Sequence, residues 1–574
     1  MDHRLEELYL ATKQANETGD STLVPVLRKL NESTGAVEDP DDAGLGAETR
    51  GGALLLAFKL GFDQADLTQA IDQLEAAVAR HPTSRRRGNL ASALLERSGI
   101  TGSPDDHHRA IGLLDAAIAD RQSSPAAVLL RRTTRLGALV DGVERELLDI
   151  NPLEVVAIGE ELLDRATEAG TDVGEIANLT GSAYHLASQR QVLSTSTLDR
   201  MVELSEIAIT ALPAGHPDRP ARLSNLSTAY LQRYNLLGDP AALRSAETAM
   251  HTAFEELKPG HPSRPLALNN LLNVAVAAYE ATGRATHLGQ LLAEALALPE
   301  CFPLDHPLRA VAESNLGLFL RAAAAALARP DLLDIAVDVQ RLAVSRTSAD
   351  SSQLAGRTAG LSLALADLYN RDHAPALLTE AIDHGERALA MTERGHEIDI
   401  IGFETNLANL YHDRFNRDGA IVDLQTSRDL HREGTNRIPD RHPDRATLLN
   451  NAGIAEHGYY LRIGDPNDLV HAIDLLGDAI AVSSKDSIYL ASRRVNYASA
   501  LHSAIAHSDH EQIRRLLTEA ERQIELALAG ALSDTDRDIA TGIYVSILRA
   551  KSVEFYDQSA PDAIQHLDTF DQSA

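Results

Sequence analysis

Histidine is the residue type best suited to chemistry in this sequence, and its spacing argues against most of what it could do. Twenty-two histidines stand beside 83 Asp and Glu residues and one cysteine. His-Pro pairs fall at His81-Pro82, His216-Pro217, His261-Pro262, His306-Pro307 and His442-Pro443, and a bare His396 keeps the same beat. The step is 45 residues or a multiple close to it, so each repeat carries one imidazole. Imidazoles a repeat apart cannot share an ion coordinated at about 2 Å. They read as loop and helix-capping residues. Two closer sets, His107-His108 behind Asp105-Asp106 and the trio His502, His507, His510, join no ligand motif and read as surface histidines.

Three further candidates fail on spacing. Asp39-Pro40-Asp41-Asp42-Ala43-Gly44 opens like a calcium loop, but Ala43 holds the third ligand position and Arg50 stands where the bidentate Glu belongs. Cys301 has His306 nearby in sequence, yet a catalytic thiol also needs a setting that lowers its pKa. It reads as a loop cysteine. Gly44-Leu45-Gly46 does not continue into a dinucleotide fingerprint, and no Walker A sequence occurs. The sequence therefore leads us to expect no catalytic residue, no metal site and no cofactor.

Amides form the sharper row. Asn225, Asn270, Asn315, Asn406, Asn451 and Asn496 recur in phase, with Asn89 and Asn178 slightly off it. Asn inside a helix costs up to about 0.7 kcal/mol relative to Ala. Eight of them approach the stability margin of a whole domain, about 5–15 kcal/mol, so something offsets the cost. Each amide could bond the adjacent repeat and fix stacking register. Alternatively, the row could bond the backbone of an extended peptide, since an amide offers two donors and an acceptor.

The elements that position these rows come from one repeat. The template Leu-x-x-Ala-(Ile/Val) recurs with its leading residue at Leu153, Leu198, Leu243, Leu288, Leu333, Leu378, Leu424 and Leu469. Weaker copies lead outward to Leu67, His107, Ile513 and Ala560. Each unit reads as two helices. The first begins at the Pro of the His-Pro pair, a residue favoured at the first helical position. Its apolar stripe in one unit is Leu223, Leu226, Tyr230 and Tyr234, and it stops at Gly238-Asp239-Pro240. The second helix, in another unit, carries Leu469, Ala472, Ile473, Leu476 and Ile480 on one face. No stretch alternates with period two. The expected fold is all-α, an α-solenoid superhelix of about twelve antiparallel helix pairs over residues 48–574. Residues 1–47 break the beat. They read as a helical cap built on Leu5, Leu8, Tyr9, Leu23, Val26, Leu27 and Leu30, followed by an acidic loop from Gly35 to Gly46 that is the best candidate for a flexible segment.

Composition bounds the rest. A net charge of −30 repels phosphate backbones, so no nucleic-acid partner is expected. No apolar run approaches the roughly 18–20 residues of a membrane span, and Met1-Asp2-His3-Arg4-Leu5-Glu6-Glu7 lacks a signal peptide's layout. The expectation is a cytoplasmic protein without a membrane partner. Lysines are confined to Lys13, Lys29, Lys59, Lys258, Lys485 and Lys551 among 53 basic residues, a usage that suits a high-GC bacterial source.

Asn225-Leu226 with Tyr230, Asn406-Leu407 with Tyr411, and the later Ala-Ile pair together resemble the tetratricopeptide repeat. The phrase Gly215-His216-Pro217-Asp218-Arg219, Leu223-x-Asn225-Leu226, Arg233-Tyr234, Gly238-Asp239-Pro240 is similar to the long-period repeats of actinobacterial and fungal multidomain proteins. Those arrays often accompany a caspase-like peptidase or a nucleotide-binding module, and the beat here leaves no room for either. The resemblance implies a concave groove lined by first helices, which binds peptides or partner helices, with the six phased Asn residues facing it. It does not extend to a carboxylate clamp, because the neighbours Ser224, Thr228, Asn269, Asn273, Ser314 and Leu318 are not basic.

Three functions follow as expectations. The leading one is a non-enzymatic scaffold that binds a protein or peptide, with a basic partner suiting the acidic chain. The second is a regulatory sensor whose ligand or peptide acts through a separate partner. The third is an enzyme whose site is assembled in the groove from distant repeats. Ligand, pathway and oligomeric state have no signature in the sequence.

Overall fold

The computed structural model describes residues 2–552, apart from positions 19, 36, 39–41, 62, 191–193, 262, 305, 393–396, 439, 441, 443, 486, 488, 531 and 533–535. The described residues are all helix and turn, with no strand. Two helices, His3–Thr18 and Val24–Thr34, precede eleven consecutive pairs that run from Leu45–Gly61 with Gln64–Arg80 to Leu490–Ala504 with His510–Leu528. Residues 536–552 are helical again. The repeat copy at Ala560 and the bare His396 lie outside the described residues. Within each unit most helices pack on their sequence neighbours, and several first helices also touch the first helix of the next pair. The chain is an α-solenoid, divided into two compact units at residues 229 and 230, within the helix Arg219–Leu237.

Local chemistry sets the punctuation. Several first helices end on glycines in the left-handed region, such as Gly238 at φ 63° and Gly464 at φ 84°, where a side chain would strain the turn. An acceptor side chain and a proline then start the second helix. Asp239 Oδ1 accepts from the Ala241 amide with Pro240 at the helix start, and Asp465 does the same for Asn467 with Pro466.

The first helices start differently from the expectation. Of the prolines in His-Pro pairs only Pro307 opens a helix, as Pro307–Ala326; the corresponding helices elsewhere begin at Ser84, Arg219, Arg264 and Arg445. The histidine caps this junction in four of these cases. Its Nδ1 accepts the amide two residues on, at Asp218, Ser263, Leu308 and Asp444. Its carbonyl accepts the amide three residues on, at Arg219, Arg264, Arg309 and Arg445. A capped turn therefore comes before the helix.

The template leucines form the spine of the second helices. Leu198, Leu243, Leu288, Leu333, Leu378, Leu424 and Leu469 are buried. Leu153 is not: it is 37% exposed, and Pro152, Val155 and Val156 are buried in its stead. At the equivalent place in the second pair stands His107, which is 0% exposed, so the expectation of a surface histidine fails. Its Nε2 lies 2.8 Å from the Ala138 carbonyl oxygen. Helix approach is close where glycine allows it: a Cβ on Gly453 would meet Leu476 Cγ at 2.5 Å.

At the N-terminus, Ala15, Val24, Leu27 and Ala57 form one apolar cluster, which seats the two leading helices on the first pair. The acidic loop is tied down where it is described. Glu38 accepts the amides of Gly44, Gly46 and Ala47 and pairs with Arg50. Asp42 pairs with Arg86 at 2.6 Å, so this carboxylate serves a cation of the chain itself.

Candidate functional site

The phased amides sit half-buried on first helices, and the structure joins them to one another. In the second unit, Asn496 Nδ2 donates to Asn450 Oδ1 at 3.0 Å, Asn450 to Asn451 at 3.3 Å, and Asn451 to Asn409 at 3.4 Å. Four amides on three consecutive first helices thus form one chain. Asn315 Nδ2 donates to Asn269 Oδ1 at 3.0 Å, and Asn269 to Asn270 at 3.3 Å. In the first unit, Asn225 donates to Asn178 at 2.9 Å, while Asn89 turns to Glu48 at 3.2 Å. Asn406 is half-buried on the helix Glu397–Asp418. These bonds offset the helix cost of the amides. They use part of each amide's capacity, because a primary amide has two donors and an acceptor with two lone pairs.

Two turns further along the first helices a second row links the same repeats. Arg321 Nε donates to Asp367 Oδ2 at 2.6 Å, and His457 Nε2 lies 2.9 Å from Ser503 Oγ. His457 stacks on Tyr460, whose hydroxyl lies 2.7 Å from His507 Nε2, so one of the histidines noted for their spacing joins two repeats. Among the described residues no group of three or more His, Cys, Asp or Glu side chains is placed to hold a metal. Cys301 is exposed, with Sγ directed at the Ala297 carbonyl.

The second unit concentrates acidic and aromatic side chains around this row. Burial pushes the Glu280 carboxyl up, with the Asp444 carboxylate adding and Arg321 opposing, although Glu280 is exposed. Burial also raises the Tyr234 hydroxyl, helped by Asp444 and Glu280, and the Tyr489 hydroxyl, helped by Glu280. Burial alone pushes Asp413 up to about 6. Histidines move the other way: burial takes His185 and His457 down to about 4 and His431 down to about 3. They are neutral at pH 7 and carry no charge to a ligand.

One set of residues escaped the sequence reading: arginines that clamp the connecting loops. Arg264 donates to the Phe254 and Leu257 carbonyls, Arg309 to Phe302, and Arg445 to Ile438. Arg222 does the same for Ala208, and the fully buried Arg86 for Ala43 and His81. They satisfy carbonyls that the ends of second helices and the loops leave without helical partners. The signal lay in the sequence as an Arg three residues after His261, His306 and His442. Burial gave it meaning.

No protein-family model matches the sequence, and no curated protein matches it. Several solved structures are similar at low identity. A human IFIT1 dimer with m7Gppp-AAAA is 13% identical at a TM-score of 0.44, over 85% of this chain and 95% of that one. The same human protein with PPP-AAAA gives 14% identity and a TM-score of 0.38, over 85% of this chain and 95% of that one. An APC/C hetero-tetramer of Cut9 and Hcn1 gives 12% identity and 0.36, over 96% of this chain and 97% of that one. Similarity of this degree carries no argument about what the chain binds. No helix among the described residues is long and apolar enough to cross a membrane.

Proposed function

We propose that the chain is a tetratricopeptide-like, non-enzymatic scaffold that holds a basic segment of a partner protein or peptide against the first helices of its second unit. One observation carries the reading: Glu280 and Asp444 act on the Tyr234 hydroxyl, Glu280 acts likewise on Tyr489, and desolvation raises both Glu280 and, separately, Asp413. A lysine or arginine side chain would relieve that cost, and tyrosine faces suit a guanidinium. The amide row supports the same reading. Its hydrogen bonds hold Asn315, Asn451 and Asn496 in place, and the bonding capacity left on each is available to an extended backbone. Asn270 and Asn406 complete the proposed contact set in this unit, and Asn225, which belongs to the first unit, lies outside it.

The test is fluorescence anisotropy of labelled Arg/Lys-rich, neutral and acidic peptide pools on the full chain. Basic peptides are expected to bind, and Glu280→Gln combined with Asp413→Asn to weaken them by about tenfold or more. Binding that ignores both substitutions, or that prefers acidic peptides, overturns the proposal. A short capped RNA serves as a competitor: displacement of the peptide only by RNA would move the partner to another class.

A further inference from the structure

In the first unit the half-buried guanidinium of Arg132 is left without a partner among the described residues. A cleft of about 260 Å3 lies among the helices Pro104–Ile118, Pro125–Glu144 and Pro152–Glu168. Its apolar wall is Ile118, Ile158 and Leu162, and its charged lining is Asp115, Arg132, Arg135 and Glu161. The two carboxylates are already engaged. Asp115 Oδ1 accepts from Arg135 Nε at 2.6 Å, and Glu161 pairs with Arg165. Arg132 is half-buried and has no hydrogen-bond or ion-pair partner among the described residues.

A partly desolvated guanidinium without a counter-charge is costly, and in a chain of net charge −30 there is no shortage of carboxylates to meet it. Here none does. The planar fork of donors on Arg132 matches a carboxylate in two-point fashion. The wall beside it offers branched aliphatic surface and no further donor. The volume falls below the roughly 300–1,000 Å3 typical of sites for drug-sized ligands, so the occupant is small.

We infer that this cleft is a binding site for a small aliphatic carboxylate, with the carboxylate on Arg132 and the hydrocarbon against Ile118, Ile158 and Leu162. Arg135, turned to Asp115, adds attraction without being the primary contact. Inorganic phosphate would leave the apolar wall unmatched, and an ammonium would meet Asp115 and Glu161 already paired with Arg135 and Arg165. The three helices belong to consecutive pairs, so an occupant also ties one pair to the next.

The experiment is calorimetric titration of the full chain with octanoate, octanol, octylammonium and acetate. Octanoate is expected to bind once per chain, and each of the other three at least about tenfold more weakly. Arg132→Gln should cost about tenfold or more, and Arg132→Lys should recover part of the loss. Ile158→Asn should weaken octanoate without changing its preference over octanol. Since Arg132 has no partner, Arg132→Gln should not lower the melting temperature, so a loss of binding reports the contact and not the fold. Equal binding of octanol and octanoate, equal binding of acetate, or indifference to Arg132→Gln overturns the inference. So does the absence of octanoate binding at millimolar concentration. A peptide ending in a free leucine, compared with its amide, separates the two sources of such a carboxylate. A free terminus that binds better than octanoate and is lost in Arg132→Gln assigns the site to chain ends, with the same chemistry.

Discussion

The two units are built from one repeat and satisfy their polar groups differently. In the second unit the template position is leucine in every described pair from Leu243 to Leu469, and each of these leucines is buried. Amides there run as a chain over three first helices, from Asn496 to Asn409, whereas among the described residues the first unit shows the single pair of Asn225 with Asn178. In the first unit His107 replaces one template leucine and Leu153 is exposed. Asn89 must turn to Glu48, which also holds the fully buried Arg86. Where residue types recur, neighbouring repeats satisfy each other with like groups. Where they diverge, individual charges do the work, and Arg132 is left over.

The largest effect that would sharpen this contrast is at Arg86. Its guanidinium reaches Asp42, Glu48 and the Ala43 and His81 carbonyls. Arg86→Ala leaves buried acceptors and a buried Glu48 behind, an expected loss of about 3–5 kcal/mol. Hydrogen exchange should show the loss in the helices Leu45–Gly61 and Ser84–Thr101, with the second unit unchanged. Equal loosening of both units would break the contrast.

An intermediate effect is expected from acid. The unfolded histidines titrate near 6.5, while burial holds His185 and His457 at about 4 and His431 at about 3. Between those values the unfolded chain binds more protons, so stability is full above pH 6.5 and falls as the pH drops toward 4. Asp413, raised to about 6 from 3.8, acts in the opposite sense: it weakens the fold at pH 7 and is relieved on acidification. His431→Leu should flatten the fall in melting temperature between pH 7 and 4.5, measured by circular dichroism. A melting temperature that rises over that range would contradict the assignment of these histidines as buried and neutral.

The smallest effect is at a single rung. Asn496→Ala removes one amide bond worth about 0.5–1.5 kcal/mol but gains helix propensity of up to about 0.7 kcal/mol. The expected net loss is under about 1 kcal/mol in urea unfolding. A much larger loss would show that the amide chain acts cooperatively across three repeats, as networks of polarised bonds can.

Much of the architecture was legible without coordinates. A period of 45 residues, Gly-Asp-Pro stops and two apolar stripes per unit specified paired helices. Each stripe is a property of one helix, which 3.6-residue geometry determines by itself. The His-Pro capping role followed from the same local chemistry, apart from the two-residue offset in helix starts. What could not be read was partner choice. Whether Asn89 meets an amide or Glu48, whether His107 is covered, and whether Arg132 finds a carboxylate depend on how far one helix slides along the next. That slide is set by close contacts such as Gly453 on Leu476, where a single methyl group would force a shift. The period of the sequence thus determined the repeat and its faces. Tertiary packing alone decided which polar groups met, because hydrogen bonds tolerate only a few tenths of an ångström and local pattern carries no information at that scale.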